Sequence, residues 1–162
     1  MLICSDGRSP GEDLTNDLYV KILNQLFQGL GENRASLWVD PRPKPYSFYF
    51  ELAPKNEKAA PISATVDNEG DIDITIGSVT TAIESNRDYN SPEQLERFRA
   101  ICEAVVAGRY EEVLYSCGAT RLGVVGIVHL PDRDLKFKTI YRLNLKWLSP
   151  HTHAARTTFV PY

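Results

Sequence analysis

Four carboxylates fall close together at Asp67, Glu69, Asp71 and Asp73, and Glu84 follows on the same stretch of chain. Clustered side-chain oxygens are what hard cations such as calcium and magnesium require. The spacing does not follow the EF-hand loop, whose later Gly and Glu positions are missing. The same residues serve equally as the solvated tip of a hairpin with an outward-facing acidic strand, or as a patch that attracts a basic partner. His151 and His153 are one residue apart, so in an extended chain both reach one side, but no third ligand accompanies them. His129 sits in an apolar run, where a hydrogen-bonded core histidine is the commoner outcome. Cys117 and His129 are the one nucleophile–base combination to weigh, yet a reactive thiolate needs an electropositive, exposed setting and this one reads as apolar. Gly123–Gly126 lacks the spacing and the Lys-Ser/Thr of a phosphate loop. No catalytic residue, metal ligand or cofactor is assigned, and whether the chain is an enzyme stays open.

Charge is unevenly distributed along the 162 residues. Residues 1–66 carry eight acidic and seven basic side chains, residues 67–112 eleven and four, and residues 113–162 two and seven. An acidic middle and a basic end are explained by mutual attraction between neighbouring elements, or by a face built for a charged partner. Lys136, Lys138, Arg142 and Lys146 could touch a phosphate backbone, with Tyr141 or Trp147 stacking. Those aromatics alternate away from the lysines, and the net charge of −3 opposes the usual basic footprint. Nucleic acid is not the expected partner.

The elements that must position these groups are legible from periodicity. Ser91–Gly108 predicts a helix: Ser91 caps it, Pro92 takes the first turn, and Gln94 completes a capping box. Glu93 and Glu96 favour the positive end of its dipole. Leu95, Phe98, Ile101, Cys102, Val105 and Val106 form its apolar stripe and Gly108 its stop. A second amphipathic helix is predicted over residues 12–28 from Leu14, Leu18, Ile22, Leu26 and Leu30, flanked by Leu23 and Phe27, with Gly29 and Gly31 ending it. Strands are predicted at 35–39, 46–52, 62–66, 71–76, 110–117, 122–130 and 135–148. Residues 79–84 either extend the fourth strand past Gly77 or bend. Asp67–Gly70 reads as a hairpin turn. Along 71–76, Ile72, Ile74 and Ile76 point inward while Asp71, Asp73 and Thr75 point outward. In the last strand Phe137, Tyr141, Leu143, Leu145 and Trp147 share one face, and Lys136, Lys138, Arg142, Asn144 and Lys146 the other. The proline-dense Asp40–Pro45 reads as an exposed extended loop.

Helix, four strands, helix, three strands, with short turns, predicts one α+β domain over residues 1–162. Its curved antiparallel sheet would have six or seven strands, with both helices on one face. A hydrophobic fraction of 43% and a charged fraction of 24% suit a soluble globular protein. Met1-Leu2-Ile3-Cys4 lacks the basic region and apolar core of a secretion signal, and no apolar run is long enough to span a bilayer. Three cysteines without a CxxC pair suit a reducing cytoplasm, with Cys102 and Cys117 as buried thiols.

The layout of Asp71–Gly77, Thr80, Thr81 and Glu84, then a proline-started helix ending at Gly108-Arg109-Tyr110-Glu111-Glu112, resembles that of small bacterial toxin-immunity proteins over about a quarter of the chain. The resemblance implies a protein that neutralises a toxin by covering its active site, with an acidic surface set against a basic nuclease. Asp67, Glu69, Asp71, Asp73 and Glu84 are then the partner-binding residues. Two other readings remain beside it. One is a small-ligand domain or enzyme with a pocket between sheet and helices lined by Tyr49, Tyr115 and His129. The other is a nucleic-acid binder acting through the basic last strand.

Overall fold

A computed structural model describes residues 13–40, 46–67, 72–83, 92–141 and 151–162. The element order is α1 (Asp13–Leu30), β1 (Ala35–Asp40), β2 (Tyr46–Pro54), β3 (Ile62–Asp67), β4 (Ile72–Ile76), β5 (Val79–Ile83), α2 (Pro92–Val106), β6 (Tyr110–Cys117), β7 (Thr120–His129), β8 (Asp134–Ile140) and β9 (Thr152–Thr158). The α+β class and the antiparallel pairing follow the sequence reading. The single curved sheet does not: the strands form a five-stranded sheet ordered β1-β2-β3-β4-β5 and a four-stranded sheet ordered β8-β7-β6-β9.

Two readings of the strands are corrected. Gly77 adopts φ 58° and opens a two-residue turn with Ser78, so Ile76 pairs with Val79 and residues 79–83 return as a separate strand. A hairpin turn of this length wants a positive φ that glycine supplies without strain. Strand β8 ends at Ile140, within the predicted run of 135–148, and the tail supplies the unpredicted β9, which pairs with β6. Residues 142–150, including Arg142, Leu143, Asn144, Leu145, Lys146 and Trp147, lie outside the described residues, as do Ser91 and the Asn68–Asp71 part of the predicted hairpin.

Both helices behave as amphipathic elements, with a shifted stripe in α1. Among its described side chains Tyr19, Ile22 and Leu23 are buried, Leu26, Phe27 and Leu30 pack against the core, and Leu18 is 38% exposed. Gly29 stays inside the helix, which ends at Leu30 with Gly31 just beyond it at φ 78°. In α2, Phe98, Ile101, Cys102 and Val105 are buried as the stripe predicts, and Leu95 and Val106 pack against the core from its margin. The stop is a Schellman arrangement: Gly108 N–H donates to Val105 O (2.9 Å) and Arg109 N–H to Ala104 O (2.8 Å), with Gly108 at φ 73°.

One apolar cluster joins the helices to both sheets. Phe98 of α2 meets Phe50 of β2 and Tyr19 of α1 edge-on, at centroid distances of 5.7 and 5.2 Å, the geometry that aromatic quadrupoles favour. Ile62, Ala64, Val66, Ile72, Ile74 and Ile76 line the inner face of the first sheet, and Tyr110, Val124, Val128 and Phe137 that of the second. The chain's last residues close the core. Tyr162 hydroxyl lies 2.6 Å from Ala60 O and 3.2 Å from Leu52 O, and Tyr162 N–H donates to Val106 O.

Two polar seams hold the sheets together. Thr139 of β8 accepts a bond from Thr80 N–H of β5 at 3.1 Å and donates to Thr80 O at 3.4 Å. This satisfies the outward backbone groups of an edge strand with a side chain instead of a ladder. At the β4–β5 turn, Glu112 of β6 accepts from Ser78 N–H at 2.7 Å and from Ser78 hydroxyl at 2.6 Å. Tyr110 hydroxyl lies 2.9 Å from Ile76 O and 3.0 Å from Glu112. A Cβ on Gly77 would collide with the Glu112 carboxylate. Glu111 and Glu112 thus belong to strand β6, as predicted.

Candidate functional site: the open face of the five-stranded sheet

Strand alternation sends one set of side chains in this sheet to the core and the other set outward. Leu37, Val39, Phe50, Leu52, Ile62, Ala64, Val66, Ile72, Ile74 and Ile76 face the helices. The outward set falls into registered rows. Trp38 lies opposite Glu51, Glu51 opposite Ser63, Ser63 opposite Thr75, and Thr75 opposite Thr80. In the next row Asp40 lies opposite Tyr49, Tyr49 opposite Thr65, and Thr65 opposite Asp73.

This face combines three properties. Its centre is short and hydroxylated, with Thr75 and Thr80 hydroxyls bonded at 3.0 Å. Its charges are Asp40, Glu51 and Asp73, with no Lys or Arg among its described outward residues. At the β1 edge Trp38 is 54% exposed and meets the Tyr49 ring edge-on at 5.5 Å, while Tyr49 hydroxyl lies 3.4 Å from Glu51. A large indole held by a neighbouring ring at the margin of an acidic face is a contact surface that costs little conformational entropy to use.

The residues singled out from sequence are distributed as follows. Asp73 is exposed on β4, with Ile72, Ile74 and Ile76 inward and Thr75 outward as the alternation predicts. Asp67 ends β3, its backbone registered with Tyr46. Glu69, Asp71 and Glu84 lie outside the described residues. Trp38 and Glu51 fall within the period-2 pattern of 35–39 and 46–52, whereas Asp40 extends β1 into the segment expected to be a proline-dense loop. What the pattern lacked was the register that brings them alongside Asp73.

The proposed pocket lining is overturned. Tyr49 faces outward on the first sheet. Tyr115 shares the outward phase of Glu111 and Val113 on the second sheet, opposite Gly123 and Ala154. His129 is also on that outer side: its Nδ1 lies 2.8 Å from Asp134, its Nε2 3.7 Å from Glu111, and Arg156 reaches Glu111 at 3.3 Å. It is therefore not a core histidine but a surface ring held between two carboxylates. Cys117 cannot meet it, since Cys117 pairs with Thr120 at the opposite end of β7; nine residues of strand amount to about 30 Å. Burial pushes the Cys102 thiol well above its ordinary range, with Glu103 adding to the shift, so this thiol is a packing group.

The remaining chemistry is sparse. Among the described residues no group of three or more His, Cys, Asp or Glu side chains is arranged to hold a metal ion. A shallow groove between α1 and α2, lined by Ile22, Gln25, Leu26, Arg99 and Glu103, brings together no nucleophile and base. No helix among the described residues is long and apolar enough to cross a membrane. No protein-family model, curated protein or solved structure matches the chain.

Proposed function

We propose that this chain is a cytoplasmic protein-binding module of the inhibitor type, which docks a basic protein on the open face of its five-stranded sheet. The toxin-immunity layout of residues 71–112 favours a toxin as that protein. The observation that carries this reading is the joint placement of Asp40, Glu51 and Asp73 around Trp38 and Tyr49 on a face without a described Lys or Arg. Charges of one sign on a broad face steer an oppositely charged partner and speed association. The exposed indole supplies an apolar anchor beside the acidic residues. Asp67, Glu69, Asp71 and Glu84 extend the acidic set along the chain and form the second contact in this proposal.

The test is copurification of the tagged chain from its native host, followed by binding kinetics with the protein recovered. The proposal expects a basic partner whose association rate falls as salt rises, and a triple reversal of Asp40, Glu51 and Asp73 to Lys that abolishes binding while the fold persists. A partner whose association is indifferent to salt and to the reversal would overturn it.

A further inference from the structure

Strand β9 differs from every other described strand. Each residue from His153 to Thr158 is exposed, on both faces. Among the described strands it forms the edge of the four-stranded sheet beside β6, with its side chains in solvent on both faces. Edge strands of soluble proteins are commonly protected by Lys, Pro or a bulge. This one has an unbroken register with β6 and no Pro or Lys between Thr152 and Thr158.

The hydrogen-bond phase of the free edge follows from neighbouring bonds. His129 N–H donates to Arg109 O, so β6 directs residue 109, and with it the odd-numbered residues, toward β7. Phe159 N–H donates to Tyr110 O, so β6 directs its even-numbered residues toward β9. Backbone groups alternate sides along an antiparallel strand. Phe159, Thr157, Ala155 and His153 therefore use theirs on β6, and Ala154, Arg156 and Thr158 present theirs to the open edge.

We infer that β9 is a self-association edge, pairing antiparallel with β9 of a second copy about a twofold axis at Ala155. In that register Ala154 of each copy lies opposite Arg156 of the other as a hydrogen-bonded pair. Ala155 meets its own equivalent as the non-hydrogen-bonded pair, where strands approach most closely and small side chains fit best. Among these pairs, each Arg156 faces an alanine, so no like charges oppose, and its guanidinium already leans along its own sheet toward Glu111 at 3.3 Å. The two four-stranded sheets join into one of eight strands. The symmetric, self-complementary pairing closes at a dimer and consumes both edges. It sits at the far edge of the second sheet and leaves the open acidic face of the first sheet free; it does not depend on what that face binds.

The experiment is analytical ultracentrifugation of the full chain across a dilution series, beside three variants. Ala154→Pro removes a donor that serves no bond to β6 and should give a monomer with an unchanged circular dichroism spectrum. Ala155→Asp and Ala155→Lys should each be monomeric, and an equimolar mixture should restore the dimer, which answers the objection that either variant has lost its fold. In a background with Cys4 and Cys117 changed to Ser, Ala155→Cys should crosslink two chains on mild oxidation. Ala154→Cys, opposite Arg156 of the other copy, should not. A wild-type chain that is monomeric at every concentration overturns the inference. So does a dimer that survives Ala154→Pro, or crosslinking at residue 154 in preference to 155.

Discussion

Ser78 gives both its backbone N–H and its hydroxyl to the carboxylate of Glu112, at 2.7 and 2.6 Å. Through this pair a strand of the second sheet holds the hairpin that presents Asp73 in the first. Hydrogen bonds to an ionised acceptor contribute about 1.5–3 kcal/mol each, and the cost of removal is largest when donors lose their partner. Glu112→Ala should cost about 2 kcal/mol in urea denaturation at neutral pH, and Glu112→Gln about half as much. A loss below about 0.5 kcal/mol for Glu112→Ala would mean that solvent replaces the carboxylate without cost.

The second seam makes a different prediction. Thr139→Val leaves Thr80 N–H and C=O without the one side chain that bonds both, whereas Thr139→Ser retains the hydroxyl. Valine should destabilise by about 1 kcal/mol and serine by less. Hydrogen exchange at the Thr80 amide should accelerate in the valine variant alone. Equal protection of Thr80 in both variants would show that the sheets meet without this bond.

Alkaline pH should unfold the protein through its buried phenols. Burial pushes Tyr19 up to about 12 and drives Tyr110 and Tyr162 higher still, with the charge of Glu112 and its hydrogen bond adding to the effect at Tyr110 and Cys102 adding at Tyr162. A raised folded-state pKa means that the native state holds the proton more tightly. The stability it contributes is complete below the unfolded value near 10 and is lost as pH rises through the folded value. For Tyr19 the window is pH 10 to 12, at about 1.4 kcal/mol per unit. Tyr19 hydroxyl has no hydrogen-bond partner among the described residues, so Tyr19→Phe should leave stability at pH 7 within about 1 kcal/mol and flatten the decline above pH 10. An unchanged slope in that variant would reject the assignment.

Trp38 separates binding from folding. Its indole is more than half exposed at an edge strand, so Trp38→Ala should cost less than about 1 kcal/mol in stability. The same change should weaken capture of a basic partner at least about tenfold, the loss expected for an interface anchor. Intact binding by the variant would move the anchor elsewhere on the surface.

Local patterns carried the helices and most of the strands. Pro92, the stripe Phe98–Ile101–Cys102–Val105 and Gly108 specify α2 because each acts within a turn or two of itself. Ile72, Asp73, Ile74, Thr75 and Ile76 specify an inward and an outward face by alternation alone. The Thr152–Thr158 segment is short, polar and exposed, with no apolar alternation to mark it. It becomes a strand because the even-numbered backbone groups of β6 lie open to it.

The sequence by itself determined the α+β class, the amphipathic faces and the acidic character of the middle of the chain, since these depend on residue type and on spacing within a few positions. Only the tertiary structure decided that the strands divide into two sheets, that Thr139 and Glu112 join them, and that Trp38, Glu51 and Asp73 share one surface. It also placed Cys117 and His129 at opposite ends of the β6–β7 pair. Those outcomes rest on register between segments from about a dozen to dozens of residues apart. Register follows from shared burial and from hydrogen bonds across strands, which no local pattern encodes.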